Sequence, residues 1–346
     1  MEIKKSKCFK CSLGCEISFI IKNEKIEGIK YERNNSLNEG RICQKGNELF
    51  YELDFKERLT RPFYNGNFIS HNEAEKIFIN EIKDKKNKGI LINDFLSDEI
   101  CYEILNVKKH LNCKIFLTNN FVSNKNNSEI KLEELYKKEN INYQIIIGDL
   151  FIEHPIIAKK VLQMKYNHRD NQIITFTKEK CKTEWFANTK FSINEIDEFL
   201  KQNELIEKIK ASVEKIIYIS GSINDIKIME KINELNEKIN GKKIKLNNTY
   251  LSERDKKLFE KEKSEINEIN KLDLLIIFGL PPIEIKIPGI IISRNLKEDE
   301  KALFMPSTHY LEEDGSYNNY VIKKIKEPIS GVYTKKEILK LLENGK

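Results

Sequence analysis

Four cysteines within the first 43 residues carry the clearest chemistry in the chain: Cys8, Cys11, Cys15 and Cys43, spaced C-x2-C-x3-C-x27-C. Thiolates are soft donors that select zinc, copper and iron–sulfur groups. From Met1 to Cys8 the chain lacks the apolar run of a secretory signal, and no stretch approaches 18 apolar residues. The expected compartment is the cytoplasm, where thiols stay reduced and clustered cysteines imply metal ligation before disulfide bonding. A zinc ribbon pairs two C-x2-C knuckles on one tetrahedral ion. Here three thiolates stand close together and the fourth arrives singly, which suits the corners of a cubane, each thiolate on a different iron. Gly14 permits a tight turn before the third cysteine. A [4Fe–4S] cluster therefore ranks first, zinc second and ordinary buried cysteines third. Cys101, Cys113 and Cys181 are scattered and read as buried structural residues. His71, His110, His168 and His309 have no partner at ligand spacing, and Trp185 reads as core.

These ligands need a frame. Residues 16–21 alternate early, Asn23-Glu24-Lys25 turns the chain and 26–31 return it, the pattern of a β-hairpin. From about residue 75 the pattern becomes α/β. Short runs apolar on both faces occur at 89–92, 114–117, 144–148, 172–176, 215–219, 272–279 and 289–292, as in parallel sheets of doubly wound domains. Residues 225–239 have helical spacing and end at Asn240-Gly241, and 252–268 reads as a solvated, charged segment. The length of 346 residues suits two or three domains, and 40% hydrophobic residues suffice to build cores. Sixty Lys and Arg against fifty-four Asp and Glu leave a dispersed net charge of +6, which argues against nucleic acid as a partner.

Ligands of doubly wound sheets lie beyond the carboxyl ends of the strands. Three such ends carry candidate groups: Gly148 with Glu153 and His154; Gly279, followed by Pro281-Pro282; and Ser307 with Glu313 and Gly315. Each also has a purely structural reading as a cap or turn.

The cysteine run, the hairpin ending in Gly28, and Asn38-Glu39-Gly40-Arg41-Ile42-Cys43-Gln44-Lys45-Gly46 together resemble the amino-terminal domain of molybdopterin oxidoreductases, the formate dehydrogenase group. Arg58-Leu59-Thr60-Arg61-Pro62 and Ile69-Ser70-x2-Glu73-Ala74 are similar to that family's next landmarks. The tail at 321–339 and the insertion at 166–170 look most like the B subunit of formylmethanofuran dehydrogenase. The resemblance implies an α/β fold, with a small antiparallel β iron–sulfur domain followed by two doubly wound parallel-sheet domains and no carboxyl-terminal dinucleotide-capping barrel. The corresponding divisions are 1–60 joined by 301–346, 61–135 with 215–300, and 136–214.

It also implies a [4Fe–4S] cluster on Cys8, Cys11, Cys15 and Cys43, with Lys45 as electron relay. A molybdenum or tungsten bis(molybdopterin guanine dinucleotide) would contact Asn119, Asn120, Gly148, Glu153, His154, Thr183, Gly279, Ser307, Glu313 and Gly315. Expected partners are other subunits of an oxidoreductase complex, among them a small dinucleotide-capping subunit and a ferredoxin-like carrier, with a one-carbon substrate. Two departures stand out. Residues 117–127 contain no Cys or His where the family carries its metal ligand, and Thr177-Lys178-Glu179 replaces the family's Asp-Pro-Arg. The alternative is a non-catalytic relative that keeps the cluster for electron transfer or assembly.

Overall fold

A computed structural model describes the chain except residues 24, 35–36, 54–57, 95, 118–131, 224, 247–258, 260–261, 263, 265, 281–286, 297–301, 318–319 and 346. Asn119 and Asn120, Pro281-Pro282 and most of 252–268 thus lie outside the described residues. The first sheet is antiparallel, in the order β1 (Glu2–Lys7), β2 (Glu16–Lys22) and β3 (Lys25–Lys30). Its middle strand alternates, burying Ile17, Phe19 and Ile21. Asn23 takes the left-handed conformation in the turn, at φ 50°.

Two larger sheets follow. In the seven-stranded sheet, β4 (Phe63–Tyr64), β5 (Asn67–Phe68), β6 (Lys88–Ile92) and β7 (Lys114–Leu117) join three late strands. These are β13 (Leu274–Phe278), β14 (Gly289–Ser293) and β15 (Ala302–Pro306), in the order β5-β4-β15-β14-β13-β6-β7. The four pairings from β15 to β7 are all parallel, and β4 and β5 run antiparallel at the edge. The five-stranded sheet is wholly parallel. It comprises β8 (Tyr143–Ile147), β9 (Gln172–Thr177), β10 (Thr189–Ser192), β11 (Lys215–Ile219) and β12 (Lys242–Lys245), in the order β10-β9-β8-β11-β12. A short hairpin of β16 (Gly315–Tyr317) and β17 (Tyr320–Ile322) completes the strands.

Every residue of β8, β11, β13, β14 and β15 is buried, as strands covered on both faces require. Strands β11 and β12 hydrogen-bond next to β8, whereas the sequence reading groups 215–300 with 61–135. An apolar run that is buried on both faces carries no mark of which parallel sheet it joins, so the pattern could not assign these two strands. The helix Ile226–Ile239 starts at Asp225, whose carboxylate accepts from the N–H groups of Lys227 and Ile228, and ends at a left-handed Asn240. Two further readings change. Trp185 is 73% exposed, because the single-turn helix Lys182–Phe186 turns it outward. Cys181 is only partly buried.

The three-stranded segment does not build a core of its own. Phe9, Leu13, Ile17 and Phe19 share one apolar cluster with Ile146, Tyr218 and the helix Pro155–Asn167, and with Tyr310, Leu311, Tyr317 and Ile325 from the late chain. Phe9 packs at a tilt against Tyr310 and Tyr317 at centroid distances of 5.2 and 4.9 Å, and Tyr310 donates to the Lys7 carbonyl. The late chain divides its contacts. β15 belongs to the seven-stranded sheet, residues 310–325 cover the first, and the helix Lys335–Asn344 packs Ile338, Leu339 and Leu342 with Phe78, Ile82 and Cys101.

Candidate metal centre

Cys8 directly follows β1, and its N–H donates to the carbonyl of Cys15 at 2.8 Å, closing the loop that carries Cys11. Gly14 makes that closure possible at φ 61°. Cys43 precedes the turn Gln44–Asn47, its carbonyl accepting from the N–H groups of Gly46 and Asn47 at 3.0 Å. The four cysteines line one cavity together with Lys10, Leu13, Ile42, Lys45, Gly46 and the stretch His154–Ile157. Among the described residues no three Cys, His, Asp or Glu side chains converge closely enough to hold a single ion. Four thiolates around one apolar cavity suit a cluster held at its corners, each sulfur on a different iron.

Burial pushes the Cys8 thiol up to about 12 and the Cys11 thiol up to about 11, and raises Cys15 further. Neighbouring cysteines reinforce the shift in each case. Four thiolates in so apolar a pocket need a compensating cation, which is how metal binding and proton release become linked. Gly46 is shaped to the same end. A Cβ there would sit 2.4 Å from Cγ2 of Ile42 and 3.5 Å from Sγ of Cys8. The donor set, the cradle at Gly46 and the apolar walls all fit a [4Fe–4S] cluster.

Lys45 and His154 reach the cavity from opposite elements. The Lys45 ammonium donates to the Glu153 carbonyl at 3.1 Å. His154 is 1% exposed, and neither ring nitrogen has a hydrogen-bond partner among the described residues. Burial, with the Lys45 charge close by, pulls its pKa down to about 3, so the ring is neutral.

Of the other expected ligand contacts, Glu153, Thr183 and Glu313 are bonded within the protein. The Glu153 carboxylate accepts from Ser222 N–H at 2.8 Å and from its hydroxyl at 2.6 Å. Thr183 donates to Asp149 at 2.6 Å and accepts from the Phe151 N–H at 3.2 Å. Glu313 accepts from Thr308 and lies 3.7 Å from the Lys335 ammonium. Gly148 and Gly279 occupy the left-handed region at φ 95° and 98°, where β8 and β13 end. A Cβ on Gly279 would meet the Asn93 carbonyl oxygen at 2.7 Å, and one on Gly315 would meet Ser97 Cβ at 2.7 Å. Ser307 is buried, with its hydroxyl lacking a partner among the described residues.

Sequence reasoning missed a polar seam between the first segment and the late chain. Arg58 forms a bidentate, fully buried pair with Glu312, at 2.6 and 2.5 Å, and also donates to the Ser307 carbonyl. His309, given no role from spacing, accepts from the Leu311 N–H on Nδ1, and its Nε2 faces Glu52 at 3.5 Å. Lys10 and Arg294 also contact Glu52. Arg58 and Glu312 are 254 residues apart, and no local pattern signals such a pair.

Comparison with known proteins places this geometry. Residues 1–54 match the molybdopterin oxidoreductase Fe4S4 domain. That domain implies a [4Fe–4S] cluster, with a Mo or W pterin cofactor possible in proteins that carry it. The F420-dependent formate dehydrogenase subunit alpha of Methanocaldococcus jannaschii is 28% identical over 85 residues, 23% of this chain and 13% of that protein. Its counterpart in Methanococcus maripaludis, subunit alpha of F420-dependent formate dehydrogenase 2, is 31% identical over 80 residues, 22% of this chain and 12% of that one. The matched stretch is thus a small fraction of the length of these relatives.

Two solved structures share the fold. Acetylene hydratase from Pelobacter acetylenicus aligns over 99% of this chain and 69% of its own, with a TM-score of 0.67 and 10% identity. A chain of the formyltransferase/hydrolase complex of Methylorubrum extorquens, solved with methylofuran, aligns over 82% of this chain and 98% of its own, with a TM-score of 0.58 and 10% identity.

Proposed function

We propose that the chain is an iron–sulfur subunit of a molybdopterin-type oxidoreductase, passing electrons through a [4Fe–4S] cluster on Cys8, Cys11, Cys15 and Cys43. The observation that carries this reading is the convergence of those four thiols on one apolar cavity, within the segment that matches the Fe4S4 domain. When bound, the cluster supplies reversible one-electron storage. The chain's own residues set its surroundings: Leu13, Ile42, Ile156 and Ile157 exclude water, and Gly46 allows close approach. Lys45, anchored on the Glu153 carbonyl, places a positive charge between the cavity and the carboxyl end of β8, the position of an electron relay toward a Mo or W bis-pterin group. The formate dehydrogenase relatives favour a one-carbon substrate, and partners would include a dinucleotide-capping subunit and a ferredoxin-like carrier.

A second reading has its own support. Residues 117–127 offer no Cys or His to a Mo or W ion, and Glu153, Thr183 and Glu313 are already bonded within the protein. In that reading the chain keeps the cluster for electron transfer or assembly and has lost the pterin site. The fold does not choose between them, since the two structures above are named for a hydratase and a formyltransferase/hydrolase. Metal and pterin analysis of anaerobically purified protein does choose. About four irons per chain with Mo or W and pterin supports the catalytic reading, iron alone supports the relay, and zinc in place of iron overturns both. Gel filtration tests the partners: a stable monomer retaining a full pterin–metal group would exclude the capping subunit.

A further inference from the structure

We propose that His154 and the first turn of the helix Pro155–Asn167 form a positioning layer over the cysteine cavity. In this layer the imidazole donates an N–H to a sulfur of the cluster or its thiolates, favouring the reduced state. This rests on the cluster reading above and adds to it a residue outside the ligand set.

Three observations converge. His154 is 1% exposed, and both its ring nitrogens lack partners among the described residues. Buried polar groups are retained with a partner as a rule, and here the groups facing the ring belong to the cavity: it lines the same space as the four cysteines, Lys45 and Gly46. Lys45 is itself directed to the Glu153 carbonyl at 3.1 Å. The main chain at His154 is fixed, since its N–H donates to the Leu150 carbonyl at 2.8 Å and its own carbonyl accepts from the Ala158 N–H at 3.0 Å. Pro155 then opens a 13-residue helix whose first residues, Ile156 and Ile157, also line the cavity. First-turn N–H groups have no partner within their helix, and that end carries the positive pole of the helix dipole.

Reduction adds one electron, and so one negative charge, to the cluster and its thiolates. The donated N–H bond is polarised and not broken, so the step is the addition of an electron alone. Hydrogen bonds to the sulfurs are among the factors that set such potentials, and a donor favours the more negative state.

The test is a redox titration of the anaerobically purified full chain with dithionite as reductant, followed by electron paramagnetic resonance. His154→Leu is expected to lower the reduction constant at least tenfold, about 59 mV for a one-electron couple, with iron and sulfide contents unchanged. His154→Gln restores an N–H donor and should recover part of that shift. An unmoved midpoint in His154→Leu, or equal shifts in both variants, overturns the proposal. Should the Leu variant fail to hold its cluster, wild-type protein labelled with 15N-histidine decides. Reduced protein should show a weakly coupled 15N that vanishes in His154→Gln, and its absence from the wild type overturns the proposal. Wild-type protein without iron would remove the cluster reading and this inference with it, whereas full iron with an unmoved midpoint removes this inference alone.

Discussion

The cysteine cavity and the carboxyl ends of the large sheets were both marked by resemblance, and the structure treats them differently. At the cavity, four thiols and an imidazole face a common space, and the ring has no protein partner among the described residues. At the strand ends, Glu153 holds Ser222, Thr183 holds Asp149, and Glu313 holds Thr308 with Lys335 nearby. The lesson is about commitment. A polar group bonded within the fold helps to hold a loop, whereas one that faces open space keeps its full hydrogen-bonding capacity for a ligand. Family-like residues can thus persist at a strand end in a purely structural role.

The strongest test of this contrast is to remove a ligand from the first region. Cys43→Ser should abolish or shift the resonance signal of the reduced cluster and reduce bound iron; an unchanged spectrum would exclude Cys43 and dissolve the distinction. Next comes the seam joining the first segment to the late chain. Arg58→Met leaves Glu312 buried without its partner, and breaking a buried pair in this way costs about 3–5 kcal/mol. A denaturant titration should show that loss, and a change under about 1 kcal/mol would mean the pair is not closed in solution.

Gly46→Ala probes the cradle directly. Its new methyl group meets Ile42, which should cost about 1–3 kcal/mol and weaken iron retention. Full retention of iron would show that the cavity has slack. The smallest effect concerns acid. Burial alone would raise Glu52, but His309, Lys10 and Arg294 outweigh it and hold the carboxyl down to about 2, against an ordinary 4.5. Its contribution to stability is therefore complete above pH 4.5 and declines as the pH falls toward about 2. Glu52→Gln should flatten that limb of a stability–pH curve, and an unaltered limb would place the acid sensitivity elsewhere.

Much of the cavity was legible because its determinants are local. Cys8, Cys11, Cys15 and Gly14 lie on one short loop, and Cys43, Lys45 and Gly46 on one turn, so spacing reports geometry. The strands and the helix 225–239 were legible for the same reason, through periodicity and an Asp225 cap. What escaped was non-local. β11 and β12 could not be assigned to a sheet, since their apolar pattern fits either. Ser222 as the partner of Glu153, Glu312 as the partner of Arg58, and the outward turn of Trp185 each depend on how distant segments meet.

The shared core around Phe9 sets an order on the making of the protein. The cysteines leave the ribosome first, but the walls of their cavity include Ile156 and Ile157, and the apolar cluster behind them is completed by Tyr310, Tyr317 and Ile325. At ordinary synthesis rates of about 5–20 residues per second, the thiols wait roughly 15–60 seconds for those side chains. Until then the four thiols lack the apolar cover that Ile156, Ile157 and the late chain supply in the finished fold.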